Sequence, residues 1–167
     1  MKQLLVIRHA KSSWDNPDLV DHERPLNKRG LEDAPLMGSI LKKKNLKIDK
    51  IFSSDALRAK QTIEMIAEEI NFDQKSIEFT SELYHASRKE LVQFLKNIND
   101  HFSTITIVGH NPGLTDLVHF LLEDFGEDLP TCAIVLIELK INSWTEVHAN
   151  CGELKSFEFP KKYRTLY

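Results

Sequence analysis

An arginine and a histidine stand side by side at Arg8-His9, directly after the apolar run Leu4-Leu5-Val6-Ile7. A guanidinium offers a planar fork for phosphate or carboxylate, and a neutral imidazole can serve as base, metal ligand or nucleophile. Two later places carry matching chemistry. Ser53-Ser54-Asp55 follows Ile51-Phe52 and reads as a helix N-cap cluster, with Arg58 in the first turn behind it. A helix N-terminus favours anions, and an arginine there strengthens the preference. Gly109-His110-Asn111-Pro112-Gly113 closes the run Thr104 to Val108, its glycines allowing close backbone approach. Each place alone has a plainer reading: a structural Arg-His pair, a surface helix arginine, a turn histidine. Two arginines and two histidines around one void, however, suit a phosphoryl group. Two histidines also suggest metal ligands, but a zinc or iron site usually recruits a third ligand, and flanking arginines would repel the cation. No metal is expected.

These residues converge only if the elements beneath them do. The apolar runs predict strands at about 2–8, 50–53, 104–108 and 133–139, with a further short one at Ile77 to Phe79. Trp144 to His148 reads as a last strand, joined to its predecessor by a hairpin at Asn142-Ser143. Helical spacing places Ile63, Ile66, Ala67 and Ile70 on one face, as it does Leu91, Phe94, Leu95 and Ile98, and Leu114, Leu117, Val118 and Leu121. The second of these helices opens with a capping box, Ser87 to Glu90. An earlier helix carries Leu36, Met37, Ile40 and Leu41, with Pro35 in its first turn or at a kink, and Lys42-Lys43-Lys44 closes it as a solvated face. Strands alternating with helices predict an α/β three-layer sandwich: a mostly parallel central sheet, helices on both faces, and one antiparallel edge hairpin strand. In such sheets ligands bind at the carboxyl ends of the strands. Arg8, His9, Arg58 and His110 all fall there.

Composition bounds the rest. The 167 residues read as a single domain over 1–167, large enough to bury its own core. A net charge of -3 argues against nucleic acid as a partner. The longest aliphatic stretch, Ala133 to Ile137, is too short to span a membrane. Met1 leads straight into a strand with no cleavage-site pattern, so a cytoplasmic location is expected. Cys132 and Cys151 form no CxxC pair and read as reduced, buried thiols.

The segment Arg8-His9-Ala10-Lys11-Ser12 resembles the signature of the histidine phosphatase (phosphoglycerate mutase-like) superfamily. The resemblance continues through Arg24-Pro25-Leu26-Asn27 with Gly30, through Ser53-Ser54-Asp55 with Leu57-Arg58-Ala59 and Gln61-Thr62, and through Gly109-His110-Asn111-Pro112. The short length and the opening Arg8 to Trp14 are similar to the SixA-type phosphohistidine phosphatase branch. The resemblance implies that His9 attacks phosphorus and is transiently phosphorylated, with water then releasing phosphate. It implies that Arg8 and Arg58 hold the oxygens, that a protonated His110 adds charge, and that no cofactor is needed. Ser12 and Asp15 fall where relatives place phosphate-contacting groups, although Asp15 replaces the asparagine common there. Glu82 falls in the stretch that carries the general acid of many relatives, with His85 nearby; it reads equally as a solvated loop carboxylate.

About forty residues separate His9 from the second strand, and one helix uses much of that length, so the pocket should be open. The acidic residues Asp15, Asp18, Asp21 and Glu23 either rim it or form a solvated loop. An open pocket fits a phosphorylated protein, with phosphohistidine as the implied group, or a small phosphate ester. Two alternatives stand beside a phosphohistidine phosphatase: a small-molecule phosphomonoesterase, and a non-catalytic phosphate-binding module.

Overall fold

Alternation of side chains along β1 (Lys2–Arg8) sends Leu4 and Val6 to one face of a sheet and Leu5 and Ile7 to the other, and all four are fully buried. A strand apolar on both faces has to be covered on both. The computed structural model, which describes residues 1–164, supplies two helices to each side. On the Leu5 face lie α1 (Lys28–Lys43) and α2 (Leu57–Glu69), through Met37, Leu41, Ile63 and Ile66. On the Leu4 face lie α3 (Arg88–Lys96) and α4 (Gly113–Leu121), through Leu91, Leu95, Leu114 and Leu117. Residues 165–167 of the expected domain lie outside the described residues.

The remaining strands are β2 (Lys50–Ser54), β3 (Ile77–Thr80), β4 (Thr104–Gly109), β5 (Ile134–Leu139) and β6 (Gly152–Glu158). They form one sheet in the order β3-β2-β4-β1-β5-β6. The pairs β2–β3, β2–β4 and β1–β4 are parallel, and β5 runs antiparallel to both β1 and β6. The architecture is thus the expected α/β sandwich, with the β5–β6 hairpin completing one edge. Because β4 enters between β1 and β2, the carboxyl ends of all three become adjacent. Register sets them level: Arg8 pairs with Gly109, and Ser53 with Val108.

Three local expectations are corrected. Trp144 to His148 is no strand. Trp144–Glu146 forms a single 3-10 turn closed by a Ser143–Glu146 capping box, and the Trp144 ring is fully buried with its indole N–H donating to the Phe102 carbonyl at 2.8 Å. Burial of that ring, not pairing, accounts for the apolar spacing. The edge strand comes later, at β6, where exposed Glu153, Leu154 and Lys155 hide any apolar alternation. For Pro35, third, only the first-turn alternative fails: it lies inside α1, near the middle, because the helix starts at Lys28, where the Asn27 side chain accepts the Gly30 N–H at 2.9 Å.

Among the described residues, no helix is long and apolar enough to cross a membrane. Cys132 and Cys151 are buried and free, and burial pushes the Cys132 thiol up to about 12.

Candidate active site

Register at the sheet edge places His9 against His110. The His9 N–H donates to the Gly109 carbonyl at 3.1 Å, and the two imidazole centroids lie 5.1 Å apart. Both rings are buried. Nδ1 of His9 bonds the Ala10 carbonyl at 2.7 Å and must donate there, which leaves Nε2 with a free lone pair. Arg58 confirms this tautomer, since its Nε–H points to His9 Nε2 at 3.4 Å. The same logic fixes His110. Arg58 Nη2 approaches its Nδ1 at 3.4 Å as a donor, so Nε2–H donates to Ser54 Oγ at 2.8 Å.

Both histidines are held neutral. Burial lowers His9 to about 4, helped by Arg58, Arg8 and Arg24 and opposed by the Ala10 bond. Burial lowers His110 to about 2, with His9, Arg58 and His85 acting in the same direction and Asp21 against them. The expectation of a protonated His110 is therefore corrected for the free site. Its positive charge comes from arginines.

Arg58, only 3% exposed, is the centre of the arrangement. Its inner edge, Nε and Nη2, faces the two imidazoles at long, weak distances. Its outer edge is held firmly, with Nη1 donating to the Asp21 carbonyl at 2.7 Å and Nη2 to Asp21 Oδ2 at 2.9 Å. Asp21, expected as a rim or solvated carboxylate, instead enters the site. Oδ2 also accepts from the Tyr84 hydroxyl at 2.6 Å and from His85 Nε2 at 2.9 Å, and Oδ1 accepts from Arg24 Nη1 at 2.9 Å. Burial works against its charge, but the bonds from Tyr84, His85 and Arg58 outweigh burial and hold the carboxyl far below the usual carboxylate range.

Arg24 has no catalytic assignment from sequence, yet it lines the same cleft. It lies under the exposed Trp14 ring, 3.2 Å from its centroid, and bonds Ser12 Oγ and the Ser13 carbonyl. The cleft holds about 350 Å³ and is lined by Arg8, His9, Lys11, Asp21, Arg58 and His85 among others.

Ser12 thus reaches the site. Asp15 does not: it is exposed, its N–H turns back to Ser13 Oγ, and its side chain lines a separate depression beside Asn27 and Arg29. Glu82 is exposed on the 3-10 turn Ser81–Leu83 and lies outside the cleft lining. Ser53 and Ser54 belong to β2, and the N-cap position of α2 is Ala56, with no side-chain cap. The expected cap cluster is corrected accordingly: Ser54 holds His110, and Asp55 pairs with His22 at 2.8 Å. Arg8 donates Nη1 to the Leu129 carbonyl at 2.8 Å, while its buried Nε has no acceptor among the described residues. An unmet buried donor costs about 1–3 kcal/mol.

The remaining motif residues support rather than touch. Thr62 Oγ1 accepts the Ala10 N–H at 3.0 Å and donates to the Arg58 carbonyl at 2.7 Å, tying the turn after β1 to α2. Gln61 receives the Leu26 N–H at 2.8 Å. A Cβ on Gly30 would lie 2.3 Å from the Lys11 carbonyl, so only glycine lets α1 meet that turn. A nucleophilic nitrogen and the forks of Arg8, Arg24 and Arg58 therefore face one small cleft, while the buried neutral His110 lies outside its lining, against His9 and Arg58. That arrangement can bind a phosphoryl group and attack it in line. Among the described residues, no group of three or more His, Cys, Asp or Glu could hold a metal ion.

Residues 4–91 match the model of the histidine phosphatase superfamily (branch 1), more than half of the chain. The chain belongs to that superfamily. An uncharacterized chloroplastic protein of Arabidopsis thaliana is 33% identical over 159 residues, covering 90% of this chain and 72% of the relative. The phosphohistidine phosphatase SixA of Escherichia coli is 29% identical over 144 residues, covering 82% of this chain and 85% of the relative. A structure of the protein histidine phosphatase SixA complexed with tungstate superposes with a TM-score of 0.82 at 24% identity, over 97% of this chain and 99% of that one. The family and the site agree on a phosphatase acting on phosphorylated substrates.

Proposed function

We propose that this protein is a metal-independent phosphatase that removes phosphate from phosphohistidine in proteins through a phosphorylated His9. The observation that carries the mechanism is the His9 tautomer: Nδ1 is tied to the Ala10 carbonyl, and Nε2 is presented unprotonated between Arg58 and His110. Nε2 attacks phosphorus as the substrate's phosphorus–nitrogen bond breaks, and its electron pair leaves with the substrate imidazole. Arg8 and Arg58 take the non-bridging oxygens, the weak 3.4 Å contacts of Arg58 exchanging for charge-assisted bonds to the phosphoryl group. Water then attacks the phosphohistidine and returns His9 to its neutral form.

The substrate class is supported by the open mouth of the cleft, where Trp14 is 76% exposed, and by the likeness to SixA. Imidazole also leaves phosphorus more readily than an alkoxide, which suits a site whose cleft lining lacks Glu82. A small-molecule phosphomonoesterase is the rival reading. Hydrolysis of an aryl phosphate should be abolished by His9→Ala and untouched by chelator. Phosphohistidine proteins should then turn over faster than sugar phosphates. The reverse ranking would favour the rival, and phosphopeptide binding with no turnover of any phosphate would refute an enzyme.

A further inference from the structure

We propose that His85, oriented by Asp21, is the proton donor to the leaving group, which extends the range of this site to phosphate esters. The proposal rests on the phosphatase reading above. His85 lines the same cleft as His9, and its ring lies 4.7 Å from that of His110 and 4.2 Å from that of Tyr84. Its side chain is 49% exposed, at the mouth where a leaving group must depart. Leu83 and Ala86 are buried on either side, so the segment is clamped and His85 turns outward. It does so at φ 51, in the left-handed region that a side chain with a Cβ seldom adopts, and such conformations persist where surrounding contacts enforce them.

Asp21 provides the aim. One oxygen, Oδ2, takes His85 Nε2 at 2.9 Å and Arg58 Nη2 at 2.9 Å, so a single carboxylate fixes the ring relative to the phosphate-binding guanidinium. With Nε2 engaged by Asp21, Nδ1 is the ring position left to hand a proton to the leaving group, and it has no partner among the described residues. A donor held by an orienting carboxylate is the usual form of a catalytic imidazole. The other groups in reach are poorly suited. Asp21 is held ionised, Tyr84 directs its proton to Asp21, arginines keep theirs, and Lys11 is exposed with no carboxylate to orient it among the described residues.

As the bond from His9 Nε2 to phosphorus forms, the bond from phosphorus to the bridging oxygen breaks, and its electron pair goes to that oxygen. The oxygen takes the proton from His85 Nδ1 and leaves as the alcohol. Water then attacks phosphorus from the vacated side, gives a proton to neutral His85, and the electron pair of the phosphorus–nitrogen bond returns to His9.

The test compares His85→Asn, a residue that tolerates the left-handed backbone, with the unaltered enzyme on aryl phosphates of graded leaving-group pKa. General acid catalysis is worth about a hundredfold or more, so kcat/KM should fall about that much with phenyl phosphate and far less with 2,4-dinitrophenyl phosphate. Equal loss on both would assign His85 to phosphate binding or to shaping the cleft, and no loss on either would remove it from the reaction; each overturns the proposal. Failure of the phosphatase reading is distinguishable, because the unaltered enzyme would then form no phosphoenzyme from 2,4-dinitrophenyl phosphate at all.

Discussion

At the scale of single residues, the site works by keeping two imidazoles neutral beside two arginines. The cause is burial first and positive neighbours second, and the consequence is measurable. In an NMR titration of the free protein, His9 should stay neutral until the pH falls to about 4, and His110 lower still, while an ordinary histidine titrates near 6.5. A His9 midpoint near 6.5 would contradict burial and the neighbouring arginines as what holds it neutral. His9, Arg58 and His110 were legible in the sequence because each sits at or just after a strand end, where local pattern fixes position. Asp21, Tyr84 and His85 were not legible as a group. Asp21 meets Arg58, Tyr84 and His85 across sequence separations of 37, 63 and 64 residues, and no local pattern distinguishes it from the acidic loop around it. Arg24 was visible within a motif, but the role that its contact with Asp21 suggests was not.

Among the elements, precision comes from the ties between β1 and α2. The turn carrying His9 is fastened to the helix carrying Arg58 by one hydroxyl, that of Thr62. Thr62→Val keeps the shape and removes both bonds, leaving the buried Ala10 N–H without an acceptor. Stability should drop by about 1–3 kcal/mol in denaturant titration. Misplacement of the nucleophile should lower kcat by about tenfold to a hundredfold. A variant as stable and as active as the original would show that the tie is incidental. The strands that position the site were readable because they are apolar on both faces. The failures came where polarity or a single ring broke that rule. β6 is a charged edge with little to reveal it, and Trp144 mimicked a strand because its ring is buried without its backbone pairing.

For the whole molecule, holding the site in this state links folding to pH. His9 and His110 bind protons more weakly folded than unfolded, so below about pH 6.5 the unfolded chain takes up protons that the folded chain refuses. Stability should therefore fall as pH drops from 6.5 toward 4. Asp21, held ionised by its partners, extends the loss below the usual carboxylate range. Thermal unfolding followed from pH 8 to pH 4 should show a declining midpoint, and a flat or rising one would contradict the linkage. Turnover itself is the final property of the assembled molecule, and it requires covalent capture of phosphate by one nitrogen. Rapid quenching during hydrolysis of a phosphorus-32-labelled aryl phosphate should trap an acid-labile, alkali-stable label on His9 that is absent in His9→Ala. Label on another residue, or hydrolysis with no trapped label and full activity in His9→Ala, would contradict the account.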